Sequence, residues 1–324
     1  MRSIEICAGA GGQALGLEQA GFQHVALVEI DSAACMTLKT NRPNWNVLEC
    51  DVKEFSAQQY FGIDLLAGGV PCPPFSVAGK QLGHKDERNL FPEAIRLVKE
   101  CMPKAVMIEN VRGLLDPKFQ SYRDDIKKEL ESIGYDCQWK LIQSNHYGVP
   151  QLRPRTLLIA LKRKYASFFK WPIGVVAPPP TIGQALFEEM SSNGWDGAKD
   201  WAEIANGIAP TLVGGSKKHG GPDLGPTRAR LAWAKLGVDG MGLADEAPPK
   251  GFEGNPKLTV KMAGLVQGFP SDWIFYGKKT PAYRQVGNAF PPPVAKAVGI
   301  AIKQALIQGD AKKDVEEVLY GSAR

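Results

Sequence analysis

Histidine is scarce in this chain, four residues in 324, and its six cysteines, at 7, 35, 50, 72, 101 and 137, include no C-x-x-C pair. So few ligands at no metal-like spacing argue against a zinc site, and nothing points to a disulfide framework. No apolar run approaches the roughly 18 residues that cross a bilayer, and a first strand beginning at Ser3 leaves no room for a signal peptide. The expectation is a reduced, cytoplasmic protein with no membrane partner and no metal. Charge of one sign is not abundant either. The formal net charge of +5 permits a polyanionic partner without requiring one, so the placement of basic residues has to decide.

What the chain does hold is enough apolar material, 44%, to bury one large core and a smaller one. Its first half alternates short apolar runs with amphipathic stretches, the pattern of a mostly parallel α/β sheet wound on both faces. Residues 3–7 read as a strand, Ala8-Gly9-Ala10-Gly11-Gly12 as a tight turn, and 13–20 as a helix stopped by Gly21. Glycines before a helix amino terminus let a ligand approach bare backbone. A strand over 24–29 ends in Glu29-Ile30-Asp31, and a carboxylate about 20 residues past the first glycine suits the two hydroxyls of a ribose. A third strand, 46–49, ends in Cys50-Asp51-Val52, placing an acid where it can accept from an adenine amino group. Over residues 1–52, Gly9-x-Gly11-x-x-Ala14 with Glu29 fits NAD as well as S-adenosylmethionine.

The chain is organised around Gly68-Gly69-Val70-Pro71-Cys72-Pro73-Pro74-Phe75-Ser76. Asp64-Leu65-Leu66-Ala67 before it reads as a buried strand. The glycines and prolines then force the backbone off the sheet and leave one thiol at the strand's carboxyl end, where open α/β sheets gather their ligands. A polar, charged loop over 79–89 includes Lys80. An amphipathic helix over 90–101 follows, and then a fully apolar strand, 105–108, which delivers Glu109-Asn110-Val111 to the same edge. A helix over 119–133 and strands over 138–143 and 156–161 complete the alternation. In Gln151-Leu152-Arg153-Pro154-Arg155 the two arginines alternate with Leu152 and Pro154, so both project from one face of an extended segment.

Beyond about residue 165 the periodicity fades, and Pro178-Pro179-Pro180 is a stiff linker. Between Leu212 and Leu236 lie Lys217, Lys218, Arg228, Arg230 and Lys235 against Asp223 alone. Gly214-Gly215-Ser216-Lys217-Lys218-His219-Gly220-Gly221 is a flexible basic loop suited to a phosphate backbone or a groove. Leu258, Met262, Leu265 and Val266 form a helical stripe that scaffolds the smaller core. Tyr283-Arg284-Gln285-Val286-Gly287-Asn288-Ala289-Phe290-Pro291 precedes a helix over 292–307 that packs back on the first domain. The expected division is 1–165 plus 280–324 as one domain and 166–279 as the smaller.

Taken in order, the glycine turn, Pro71-Cys72, Glu109-Asn110-Val111 and the Gln151 to Arg155 run resemble the DNA cytosine-5 methyltransferases of bacterial restriction-modification systems. The match extends over most of the chain. The resemblance implies a doubly wound, Rossmann-like methyltransferase sheet with a smaller, irregular target-recognition domain. It implies S-adenosyl-L-methionine as cofactor, leaving S-adenosyl-L-homocysteine, and duplex DNA as partner. It makes Cys72 the nucleophile, Glu109 the acid beside N3, Arg155 with Arg153 the cations near O2, and Asn110 the residue that holds the turn. The loop Ala8 to Gly12, with Leu15, would wrap the methionine part. Glu29 would hold the ribose, Ile30 pack on adenine, and Asp51 with Val52 read its edge. Pro71, Asn288 and Ala289 would complete the pocket. The resemblance places target recognition in the interval after the arginine segment without fixing its residues; by charge and position, Ser76, Lys80, Lys217, Lys218, Arg228 and Arg230 are the ones expected to meet DNA.

One departure is Pro73, where the family commonly has Gln. A sister branch that methylates tRNA carries a Cys-Phe-Thr tripeptide, which this chain lacks. A non-catalytic DNA-binding protein on the same fold would not need Cys72, Glu109 and Arg155 together. An NAD oxidoreductase would need a hydride-transfer acid that is not recognisable. A monomer, encoded by a bacterium or a phage and acting beside a separate restriction endonuclease, is the expectation.

Overall fold

The computed structural model describes residues 1–71, 89–175, 177–214 and 223–320, with side chains as far as 312. The strands are β1 (Arg2–Ile6), β2 (Gln23–Glu29), β3 (Val47–Glu49), β4 (Leu65–Gly68), β5 (Ala105–Val111), β6 (Tyr135–Gln143) and β7 (Pro154–Lys162). They form one sheet in the order β3-β2-β1-β4-β5-β7-β6. The first five in that order are parallel, and β7 lies antiparallel between β5 and β6. The helices are α1 (Gly12–Gln19), α2 (Ser32–Asn41), α3 (Phe91–Cys101), α4 (Gln120–Ser132), α5 (Arg163–Ala166), α6 (Ile182–Ser191), α7 (Ala198–Ile204), α8 (Thr227–Ala234), α9 (Val260–Gln267), α10 (Lys279–Asn288) and α11 (Pro292–Tyr320). No described helix is long and apolar enough to cross a membrane.

The central strands are apolar on both faces because both are covered. Leu66 of β4 and Val106 and Ile108 of β5 face a core closed by Phe91, Ala94, Leu97 and Val98 of α3. Their neighbours Leu65, Ala67, Ala105 and Met107 point the other way, onto Leu17 of α1 and Val294, Val298 and Ile302 of α11. Alternate side chains thus fill opposite layers. Truncating Leu66 to Ala would cost about 2–5 kcal/mol, the usual figure for a fully buried leucine.

The last helix packs on the first. A Cβ on Gly16 would meet the carbonyl of Pro292 and the Cβ of Ala295, and one on Gly299 would meet Ala20 and Leu17 at 2.9 Å. Only glycine at these positions lets α1 and α11 approach this closely, so the last described helix packs directly on the first.

The interval expected to hold little regular pattern contains α6, α7 and α8. Thr181 and Gln184 form a capping box at the start of α6, and Trp195, Trp201 and Trp233 fill a core with Leu258, Met262 and Val266. These short helices survive through burial of large aromatic side chains more than through propensity. Tyr283 and Val286 of α10 belong to that core, whereas Ala289, just after α10, packs with Ala10, Leu15, Phe269 and Trp273 behind the glycine turn. The segment after 280 therefore serves both cores.

Candidate active site

Val28, Ile6, Gly68 and Ile108 are register partners in a row across β2, β1, β4 and β5. The next residues along those strands, Glu29, Cys7, Gly69 and Glu109, all line one cavity of about 580 Å³. It sits at the carboxyl ends of the parallel strands, where the order reverses between β1 and β4, the place where this architecture opens a crevice. Ala8, Gly9, Ala10, Gly12, Ile30, Asp51, Val52, Pro71, Asn288 and Ala289 also line it.

Glu29 organises the glycine turn. Its Oε2 accepts from Gly9 N at 2.7 Å, and Oε1 accepts from Ile30 N at 2.9 Å and Asp31 N at 2.8 Å. Ile30 is 65% exposed on the cavity rim, an apolar face available to a flat ring. The lining includes the acids Glu5, Glu29, Asp31, Asp51 and Glu109 and the cations Lys53 and Arg284. Burial favours the protonated form of Glu5 and Glu109, which leaves three acids against two cations, a set that suits a ligand with a positive centre and several hydroxyl donors. S-Adenosylmethionine, with its sulfonium, ribose and amino-acid end, fits both the charge and the volume.

Two expected ligands stand back from the cavity. Leu15 packs into the cluster behind the turn. Gly11 is the left-handed N-cap of α1, and a Cβ there would point at Leu38, Trp273 and Trp45. Both shape the loop from behind; neither is on the wall. Sequence reasoning passed over Glu5, Gln13 and Arg284, which do line the cavity. A lone acid inside the apolar run Ser3 to Ile6 was the available signal for Glu5.

Glu109 is buried, and its Oε1 lies 2.8 Å from Arg155 Nε. Burial pushes its carboxyl above the ordinary value, against the opposing pull of Arg155 and then Arg153. Burial likewise disfavours the charge on Arg155, which Glu109 restores in part. A Cβ added to Gly69 would meet Glu109 Oε2 at 3.3 Å, so the acid overhangs the turn that leads to Pro71. Asn110 fixes that turn: Nδ2 donates to Val70 O at 2.9 Å, and Oδ1 accepts from Val111 N at 2.9 Å. Leu90 N donates to Pro71 O at 3.3 Å, closing the chain on either side of residues 72–88 at the cavity rim.

Arg153 departs from the expectation of a second cation at the pocket. It is wholly buried and absent from the cavity wall. Nη1 donates to Leu212 O at 2.8 Å, and Nη2 donates to Gly287 O at 2.7 Å and Ala289 O at 3.0 Å. It is a strut between the chain entering the basic loop and the cavity wall at Ala289. Of the residues expected to meet DNA, Arg228 is exposed on α8. Arg230 folds back, with Nη1 on Met241 Sδ at 3.2 Å and Nη2 on Thr227 Oγ1 at 3.3 Å. Cys72, Ser76, Lys80, Lys217 and Lys218 lie outside the described residues.

A family model described as C-5 cytosine-specific DNA methylase matches residues 1–220 and 228–304. The chain belongs to that family. It is a DNA cytosine-5-methyltransferase, and members of the family take their methyl group from S-adenosylmethionine. This methyltransferase is 58% identical over 307 residues to the type II methyltransferase M.NgoMIV of Neisseria gonorrhoeae, covering 94% of this chain and 97% of the relative. It is 53% identical over 316 residues to M.NaeI of Lentzea aerocolonigenes, covering 95% and 76%. Among solved structures, a mutant of Spodoptera frugiperda DNMT2 superposes with a TM-score of 0.64 at 17% identity, covering 94% of this chain and 99% of that one. At that identity the likeness is one of fold: the sheet and its crevice are those of the methyltransferases.

Proposed function

We propose that this methyltransferase modifies C5 of a cytosine in a specific duplex sequence through a covalent bond between Cys72 and C6, with the base turned out of the stack. The observation that carries the reading is Glu109 on the donor cavity's wall, paired with Arg155 behind it and overhanging Gly69, three residues before Cys72. Cytosine C5 does not accept a methyl group unaided. Addition of the Cys72 thiolate to C6 forms a C–S bond and pushes the ring electrons toward N3 and O2. Glu109, whose protonated form burial favours, gives its proton to N3, and Arg155 faces the charge at O2. The ring is then an enamine nucleophilic at C5. The bound donor supplies an electrophilic methyl group.

Loss of the C5 proton to a base, water being sufficient, re-forms the double bond and expels Cys72 as thiolate. A base within a duplex stack cannot reach such a site, so the target nucleotide must leave it. Gly214, where the basic loop begins, abuts Asn288 and the carbonyl of Arg284, which places the start of that loop beside the cavity. Lys217, Lys218 and Arg228 then hold the backbone and groove, with Ser76 and Lys80 on the loop after Cys72. We assign the chain to a bacterial or phage restriction-modification system in which a separate endonuclease cuts the same unmodified sequence, and we read the enzyme as acting as a monomer in the cytoplasm. Residues 1–165 with 280–324 carry the chemistry, and 166–279 carry recognition.

The test is Cys72→Ser. Methyl transfer to duplex DNA should fall below detection while DNA affinity stays within a few-fold of the parent. Turnover retained in the variant would assign the nucleophile elsewhere.

A further inference from the structure

Of the two cations on the cavity wall, Arg284 comes from outside the sheet. Helix α10 turns Pro281, Arg284, Gln285 and Asn288 toward the cavity, the three- and four-residue spacing of one helix face. Gln285 is tied down, donating to Tyr276 O at 2.8 Å and accepting from Thr37 Oγ1 at 2.6 Å. Arg284 beside it is half-buried, and its Nε, shielded from solvent, has no hydrogen-bond partner. An arginine donor left unpaired in such a setting is costly, and folds retain one mainly where a ligand supplies the acceptor. The acids that share the wall are engaged elsewhere. Both oxygens of Glu29 accept backbone N–H groups, Asp31 caps α2 through Ala33 and Ala34 N–H, Asp51 accepts from Lys53 N, and Glu109 is paired with Arg155.

The root of the basic loop lies against the same helix. A Cβ on Gly287 would overlap Gly214 N, and one on Gly214 would meet Arg284 O at 2.6 Å, so the chain leaves from the surface of α10 by a contact that glycine alone permits. Just before it, Gln151 Oε1 accepts from Leu212 N, and Arg153 Nη1 donates to Leu212 O, both at 2.8 Å. These bonds hold the root in place. The strand ends and the glycine turn carry most of the sites assigned to the donor. Arg284 stands on the α10 wall, where the segment containing Lys217 and Lys218 begins. A base turned into the site from a duplex leaves its flanking phosphates at the mouth, and the planar fork of an arginine matches a phosphate with two parallel N–H donors.

We propose that Arg284 holds a backbone phosphate beside the extruded nucleotide on the target strand. This rests on the base-flipping reading above and adds to it a DNA-binding residue on the donor cavity's own wall. The contact positions the strand and reads no sequence.

The experiment is a titration of the full chain, with S-adenosylhomocysteine present, against fluorescent duplexes containing a site the enzyme methylates. Arg284→Met should weaken binding about tenfold, the loss of one charge-assisted contact, and flatten the salt dependence by about one counterion. Arg284→Lys keeps the charge but not the fork, so it should restore the salt dependence and recover only part of the affinity. S-Adenosylhomocysteine affinity without DNA should stay within about twofold for both variants, which also shows that they fold. In a second set of duplexes, the phosphates beside the target nucleotide are replaced one at a time by neutral methylphosphonate. At one position the parent should lose about tenfold and Arg284→Met nothing further. Equal losses in parent and variant at every position would overturn the proposal. So would unchanged DNA affinity in Arg284→Met, or a fall in S-adenosylhomocysteine affinity that matches the fall for DNA. Cys72→Ser should respond to methylphosphonate as the parent does, because the contact needs no covalent bond. Failure of the parent to bind duplex at all would instead overturn the DNA reading itself.

Discussion

Arg155 Nε stands 2.8 Å from Glu109 Oε1, across the antiparallel pairing of β7 with β5, where Val111 and Arg155 are register partners. The two buried groups hold one another at the rim where β4 gives way to Pro71, burial favouring the protonated form of Glu109 against the pull of Arg155. In the proposed mechanism Glu109 is the acid with a proton to lose and Arg155 the cation that remains when it is lost. Glu109→Gln keeps the shape and removes the transferable proton, so kcat should fall by about 10²- to 10⁴-fold, the range for a general acid. DNA and S-adenosylhomocysteine affinities should change less than about fivefold. Some stability will go as well, since Arg155 loses its partner in a buried setting. Single-turnover methylation assays well below the melting temperature separate the two effects. A kcat within threefold of the parent would remove Glu109 from the proton path.

Arg153 differs from Arg155 in what it touches, and its loss should look different. Arg153→Met strands the carbonyls of Leu212 and Gly287 in a buried setting and leaves Ala289 O with Gln267 Nε2 as its remaining donor. The variant should unfold with at least about 3 kcal/mol less stability in urea. Because Ala289 is part of the cavity wall, KM for the donor should rise more than kcat falls. A kcat collapse with stability unchanged would instead place Arg153 in contact with the reacting base.

Stability should depend on pH through the buried acids. The Glu5 carboxyl is pushed well above its ordinary value of 4.5 by burial, and Glu109 is raised for the same reason. In the window that opens near 4.5 and ends at the raised folded value, the folded state holds a proton that the unfolded state has lost. Stability contributed by the protonated acid is thus full below that window and declines as pH rises through it. His24 works in the other direction below its ordinary value of 6.5, since burial lowers it. Comparing parent and Glu5→Gln at each pH isolates Glu5. Urea midpoints from pH 5 to 8 should show the variant gaining on the parent as pH rises, without ligand. A constant difference would show that Glu5 titrates normally.

Much of the sheet was legible because buried parallel strands are short apolar runs closed by chemistry-bearing residues. The strands read over 64–67 and 105–108 are Leu65–Gly68 and Ala105–Val111, and Glu109 follows from the second as Glu29 follows from the strand over 24–29. Residues whose roles depend on distant chain were less accessible. Arg153 and Arg155 alternate alike in the sequence, yet the acceptors of Arg153 lie 59 to 136 residues away, and nothing local distinguishes the two arginines. Leu15, expected at the cofactor, lies on α1 and packs into the core behind the turn. The helices α6 to α8 were hidden by Gly, Pro and Trp content, although Thr181 and Gln184 carry the spacing of a capping box.

The central claim is a transient bond between one sulfur and one pyrimidine ring, and 5-fluorocytosine tests it because fluorine at C5 cannot leave as a proton does. A duplex carrying it at the target position, incubated with enzyme and S-adenosylmethionine, should give a covalent complex that survives denaturation. Peptide mapping should place the adduct on Cys72, and neither Cys72→Ser nor enzyme without donor should trap a methylated adduct. Absence of any stable complex at a site the enzyme methylates in ordinary DNA, or an equal yield with Cys72→Ser, would contradict the account.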